Sequence, residues 1–168
     1  MENLTEALIE RYNLLPHPEG GWYQETYRSS TRIREACLPA AFGGDRVLAT
    51  NIYFLLEEGN FSAFHRIKSD ECWHFYAGQT LEIFVLLPDG TASVTRLGSD
   101  ISNDEQFQFV VPANFWFASR PATGSRYCFV GCTVSPGFDF QDFELATANE
   151  LSDLFPQHEQ LISGLCRQ

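Results

Sequence analysis

Between residues 49 and 134 the chain never runs far without a turn signal, and that rhythm is what most constrains its fold. Glu58-Gly59-Asn60, Ala77-Gly78, Pro88-Asp89-Gly90, Gly98-Ser99-Asp100, Pro112-Ala113-Asn114 and Thr123-Gly124 cut it into short pieces. Gly and Asn reach conformations other residues avoid, and Pro fixes φ while removing a donor, so each cluster favours a reversal. The intervening pieces at 61–67, 71–77, 81–87, 91–97, 106–111, 115–119 and 126–134 have the length of strands. The apolar run ATNIYFLL at 49–56 suits a buried strand, and Trp22 to Arg28, with aromatics at 22, 23 and 27, suits another. Many short strands at this spacing predict a sandwich or a barrel.

The two ends read differently. Leu4, Ala7, Leu8, Arg11 and Tyr12 recur at helical spacing, and Asn3 with Glu6 has the form of a capping box. This helix stops before the turn chemistry of Pro16-His17-Pro18-Glu19-Gly20-Gly21. Residues 31–46 read as a loop, and beyond Pro136-Gly137 the pattern turns helical, with Leu145, Leu151, Leu154 and Phe155 apolar. The expectation is one domain over residues 1–168, with a core barrel at about 22–145 and short helices flanking it.

Composition narrows the partners. Acidic residues outnumber basic ones by 22 to 11, and the net charge of −11 opposes phosphate backbones and anionic membranes. No nucleic acid and no membrane is expected as a partner; a small-molecule ligand is. Aromatics at 14% suit pocket walls as well as strands. The five cysteines are odd in number, form no CxxC, and place Cys128 and Cys132 four apart without a paired His. That is not zinc spacing, so they read as free thiols in a reducing compartment. The polar start Met1 to Glu6 has no apolar signal core, and a cytoplasmic location is expected.

One stretch carries candidate chemistry. In residues 59–78, GNFSAFHRIKSDECWHFYAG, Gly59 is followed after five residues by His65, after five more by Glu71, and after six by Gly78. Side chains of matching parity on neighbouring strands point to one interior, so an imidazole and a carboxylate can meet there. This spacing resembles the first motif of the cupins, with Ile67 at the position of a second His. Pro112-Ala113-Asn114-Phe115-Trp116-Phe117 resembles the second motif, with Asn114 in place of Gly and Phe117 in place of His. HPEGG (17–21), ETYRS (25–29), YFLL (53–56), FHRIKSDECWHFYAG (64–78) and GCTVSPGFDFQDFEL (131–145) are similar to the signatures of an uncharacterised cupin family. The resemblance implies an all-β jelly roll, a double-stranded β-helix with short N- and C-terminal helices, of the deoxysugar-nucleotide epimerase type. It also implies a homodimer, for which the strand from Trp22 to Tyr27 is the candidate for pairing across subunits.

Two functional classes follow. In the first, an isomerase or epimerase acts on a sugar-like or other polar metabolite. His65 is then the proton-abstracting base, Glu71 orients it, and a tyrosine returns the proton: Tyr53, with Tyr23 and Tyr127 as alternatives. In the second, the same pocket binds a small molecule without turnover. Trp73, Phe75 and Phe117 are candidate pocket walls or ordinary core. Arg28 is a candidate contact for an anionic group on the ligand, and Glu25 accompanies it. No cofactor is expected, because a transition metal in this fold normally takes three His and one Glu, while this chain offers His65 and Glu71. A divalent transition metal on those two is the alternative. His74, three residues after Glu71, falls on the opposite strand face.

Overall fold

The computed structural model describes residues 4–167. Helix α1 (Leu4–Tyr12) leads into β1 (Leu15–Pro16), β2 (Trp22–Arg28), β3 (Arg32–Ile33), β4 (Arg46–Val47) and β5 (Thr50–Glu57). Then come β6 (Ser62–Arg66), β7 (Asp70–Gly78), β8 (Leu81–Leu86), β9 (Ala92–Leu97) and β10 (Gln108–Val111). The last strands are β11 (Trp116–Pro121), β12 (Tyr127–Ser135) and β13 (Glu144–Leu145), followed by helices α2 (Ala148–Leu154) and α3 (Glu159–Gly164). A six-stranded sheet runs β1-β2-β5-β12-β7-β10 and a five-stranded sheet runs β13-β6-β11-β8-β9. Every ladder joining these strands is antiparallel. The architecture is an all-β jelly roll with short helices at both ends, within the sandwich-or-barrel class the turn rhythm predicts and as the cupin resemblance implies.

Alternation along each strand divides the chain into three apolar layers. Between the sheets lie Phe54, Leu56, Trp73, Ile83, Val85, Phe117 and Val130. On the outer face of the six-stranded sheet, α1 covers Leu55 and Phe129 with Leu8, Ile9 and Tyr12. On the outer face of the five-stranded sheet, Leu151, Ile162 and Leu165 of the C-terminal helices cover Phe64, Phe84, Leu86 and Trp116. Both ends of the chain thus shield sheet faces that would otherwise expose apolar side chains to water.

Three local features depart from or refine the sequence reading. Residues 31–46 are not all loop, because β3 and β4 pair as a short ribbon. Arg46 on that ribbon buries its guanidinium against Asp142, which fixes it. Asn114 adopts φ 65°, so an asparagine does take the left-handed turn, and its N–H donates to the Ile67 carbonyl at 2.7 Å. The Asn3 half of the expected capping box lies outside the described residues.

Candidate functional site

A cavity of about 390 Å³ opens at one end of the barrel. His65 reaches it from β6 and Glu71 from β7, each on the inward face of its strand, and both side chains are buried, at 2% and 7% exposure. The third polar group comes from the turn before β2. Glu19 is buried, and its Oε2 lies 3.2 Å from His65 Nε2 and 3.5 Å from His17 Nδ1. That turn is possible only with glycines behind it. Gly20 and Gly21 have φ of 113° and 74°. A Cβ on Gly20 would meet the Phe61 carbonyl oxygen at 2.1 Å, and one on Gly21 the Leu55 carbonyl oxygen at 2.7 Å. The turn is also held from afar, because the Arg167 guanidinium donates to the Glu19 carbonyl (3.4 Å), to the Phe61 carbonyl (2.7 Å) and to Asn60 Oδ1 (2.9 Å).

Hydrogen bonds fix the protons. His65 Nδ1 lies 2.7 Å from the Ala63 carbonyl, which only accepts, so Nδ1 carries the hydrogen. The lone pair of neutral His65 is then on Nε2, facing Glu19. The His17 Nδ1 accepts from the Glu19 backbone N–H at 3.4 Å, so its proton sits on Nε2. Burial pushes the His65 pKa down, against the pull of Glu71 and the Ala63 carbonyl. It also pushes His17 down, although Glu19 opposes this. Loss of water raises Glu19, with His17 pulling the other way. Glu71 is raised by burial to about 7, with His65 lowering it and Glu19 raising it further. Cys132, on the same floor, is held far above the ordinary thiol range by burial and by Glu71 and Glu19, so it is a neutral thiol and not a nucleophile. Burial therefore favours the neutral forms of both the carboxyls and the imidazoles, and neutral His65 keeps its Nε2 lone pair beside Glu19.

Aromatic rings close the cavity. Phe138, Phe140 and Phe143 come from the segment between β12 and β13. The Phe143 ring lies 5.3 Å from the His65 ring, and Phe138 and Phe140 meet edge to face at 5.0 Å. Asp142, within a 3-10 turn at Phe140–Asp142, anchors this segment through two bonds from Arg46, at 2.6 and 2.7 Å, while Lys68 Nζ stands 3.4 Å away. Arg28 and Glu25 stand at the mouth as a paired couple.

Several expected positions fall elsewhere. Tyr53 lies on the outer face of the six-stranded sheet, 4.9 Å from the Tyr12 ring and 5.2 Å from Phe129, so it cannot serve this cavity. Tyr127 packs in the same outer layer. Of the three candidate tyrosines, Tyr23 lines the cavity. Trp73 and Phe117 sit deeper, 6.2 Å apart between the sheets, and Phe75 packs beside them; these are core, not cavity wall. Phe117 does touch the site indirectly, with its ring 4.1 Å from that of His65. His74 faces outward, bonded to Thr133 and Gln108. His65's direct partner is Glu19 and not Glu71. The HPEGG stretch was visible in the sequence, but its turn chemistry masked the side chains it delivers.

The donor set does not suit a metal. Among the described residues no group of three or more His, Cys, Asp or Glu side chains is placed to hold one. Ile67 lines the cavity and Phe117 fills the core at the two positions where cupin ligands would be needed.

Known proteins with the same plan fall into near and distant groups. A hypothetical protein from Leishmania major superposes with a TM-score of 0.88 at 35% identity, over 97% of this chain and 98% of that one. Protein SO0799 from Shewanella oneidensis gives 0.87 at 40% identity, over 99% of both chains. Among curated sequences, the uncharacterized protein YML079W of Saccharomyces cerevisiae is 28% identical over 146 residues, which is 82% of this chain and 72% of that one. Oxalate decarboxylase from Bacillus subtilis shares the fold at a TM-score of 0.54 and 13% identity, over 89% of this chain and 36% of that one. Residues 6–146 match the Cupin superfamily (DUF985) family, and with that span covering the barrel and its cavity, the chain belongs to it.

Proposed function

We propose that the cavity carries out proton transfer at a carbon next to a carbonyl, in an isomerase or epimerase acting on a sugar-like or other polar metabolite. The observation that supports this best is Glu19 Oε2 at 3.2 Å from the lone-pair nitrogen of buried His65, in the same cavity as Glu71. In the reading, the His65–Glu19 pair takes the proton from the C–H, the bonding electrons move onto the carbonyl oxygen, and protonated Glu71 supplies the hydrogen that oxygen needs. Return of a proton to carbon, from the same pair or from Tyr23, regenerates the carbonyl and gives Glu71 its proton back; where Tyr23 is the donor, the proton held by the pair must then pass to the tyrosinate to reset the site. Glu71, with a pKa of about 7, is poised for both directions near neutral pH. The volume of about 390 Å³ is within the usual range for a small metabolite.

Free aldoses and ketoses incubated with the protein in heavy water provide the test. Deuterium is expected to enter at the carbon beside the carbonyl, and His65→Ala is expected to slow that entry by at least ~100-fold, the usual weight of a general base. Exchange that proceeds unchanged in His65→Ala removes the base and with it the reading. One feature favours a non-catalytic binder instead: Phe138, Phe140 and Phe143 line the cavity, and aromatic walls hold a ligand without chemistry. A binder stabilises on adding ligand without any isotope entering it.

Two wider parts of the proposal rest on other observations. The edge of β2 beyond its short pairing with β1 is exposed from Glu25 to Arg28, which supports a homodimer joined along that strand. All five cysteines are free, which supports a cytoplasmic setting.

A further inference from the structure

Glu25 and Arg28 are three residues apart on β2, a spacing that normally sends side chains to opposite faces. Here the ladder with β5 shifts between Glu25 and Tyr27. Glu25 stands opposite Ile52, Tyr27 opposite Asn51 and Arg28 opposite Thr50, with Thr26 left over as the extra residue of a bulge. The bulge brings both side chains to the cavity rim, above Ile52 and Thr50, which also line it. There Arg28 Nε donates to Glu25 Oε1 at 2.9 Å and Nη2 to Oε2 at 2.7 Å, while Nη2 also approaches the Phe138 carbonyl at 3.5 Å.

The consequence is electrostatic. Among the residues lining the cavity, Arg28 is the one permanent cation, against the carboxyls of Glu19, Glu25, Glu71 and Asp139. Phosphate and diphosphate groups are recognised by open guanidinium forks, lysines or converging backbone N–H groups. This fork is already filled by a carboxylate, and Asp139 lies close enough to bear on Arg28 as well. An anion that pushed Glu25 aside would still face Glu25 and Asp139 across the same mouth. The net charge of −11 adds to the opposition.

We propose that Glu25 is an anion filter: the β2 bulge holds its carboxylate on Arg28, so the cavity admits an unphosphorylated, uncharged small molecule and turns away phosphate esters and sugar nucleotides. The inference rests on reading the cavity as a ligand site and goes beyond it by setting the ligand's charge class. Arg28 is thereby a neutralised group and not the docking point for an anion that its position alone suggested.

The test compares wild type, Glu25→Gln, Glu25→Ala and the double variant Glu25→Gln with Arg28→Met. The probes are inorganic phosphate and glucose 6-phosphate, with sodium chloride matched for ionic strength, and the readout is Tm. Wild type is expected to melt alike in probe and in chloride. Both single variants are expected to be stabilised by the probes, with an apparent affinity at least about tenfold above wild type, the change expected on removing one like charge a few ångströms away. The double variant is expected to lose that gain. The pair is half-exposed at the rim, so none of these changes opens the core. Any other pattern overturns the filter, whether wild type responds to the probes or the single variants remain indifferent. No turnover is measured, so failure here leaves the proton-transfer reading standing.

Discussion

Single side chains set the proton economy of this cavity, and Glu71 has the clearest signature. Its folded pKa of about 7 lies above the ordinary 4.5 because burial disfavours the charge. The fold therefore holds the protonated form more tightly than the unfolded chain does. That contribution is complete below about 4.5 and is lost as pH rises through about 7. Replacing Glu71 with Gln is expected to leave stability nearly unchanged at pH 4.5 and to raise it at pH 8 by up to about 3 kcal/mol. Urea melts across that range check it, and equal stability of the two proteins at pH 8 would contradict the assignment. His65 and His17 titrate with the opposite sense. Their pKa values are lowered by burial, so the stability of their neutral forms is present above 6.5 and falls away under acid. Glu71→Gln isolates the carboxyl arm because it leaves both imidazoles in place.

At the scale of elements, the segment from Phe138 to Phe143 matters most, and Asp142 is its anchor. The Arg46–Asp142 pair is 3% exposed on both sides. Breaking it with Asp142→Asn is expected to cost about 3 kcal/mol, the lower end for a buried pair that loses one partner. It should also speed amide exchange across 138–143 ahead of the barrel strands, and uniform acceleration throughout the barrel would count against an anchoring role. The same scale shows what could be read beforehand. Strand positions were legible because turn residues punctuate them, and His65 and Glu71 were legible from the fixed spacing of Gly59, His65, Glu71 and Gly78. Tyr53 was not, since β5 is covered on both faces: Phe54 and Leu56 face the core while Leu55 meets α1. An all-apolar run hides its own parity. Glu19 was hidden for another reason. It projects from an irregular turn, where no period tells which way a side chain points.

For the whole molecule, the termini act as covers and as a brace. The C-terminal helices sit on Phe64, Phe84 and Trp116, and Arg167 reaches past them to the turn that presents Glu19. Substituting Arg167 with Met keeps the stem over the Phe61 ring, which the guanidinium stacks on at 4.0 Å, but removes three hydrogen bonds. The expected result is a loss of about 1–2 kcal/mol together with faster amide exchange at Gly20 and Gly21. Unaltered exchange at those two amides would show that the turn stands without the brace. The all-β fold was readable from local signals, whereas this brace was not, because it joins residues 148 apart.

That separation bears on how the protein comes into being. Strands carrying His65 and Glu71 leave the ribosome long before the guanidinium that steadies Glu19 is synthesised. A nascent chain arrested after β12 already contains His65, Glu71 and Glu19, yet lacks the guanidinium that clamps the Glu19 turn. The turn that presents Glu19 thus gains its clamp only once translation has passed residue 167.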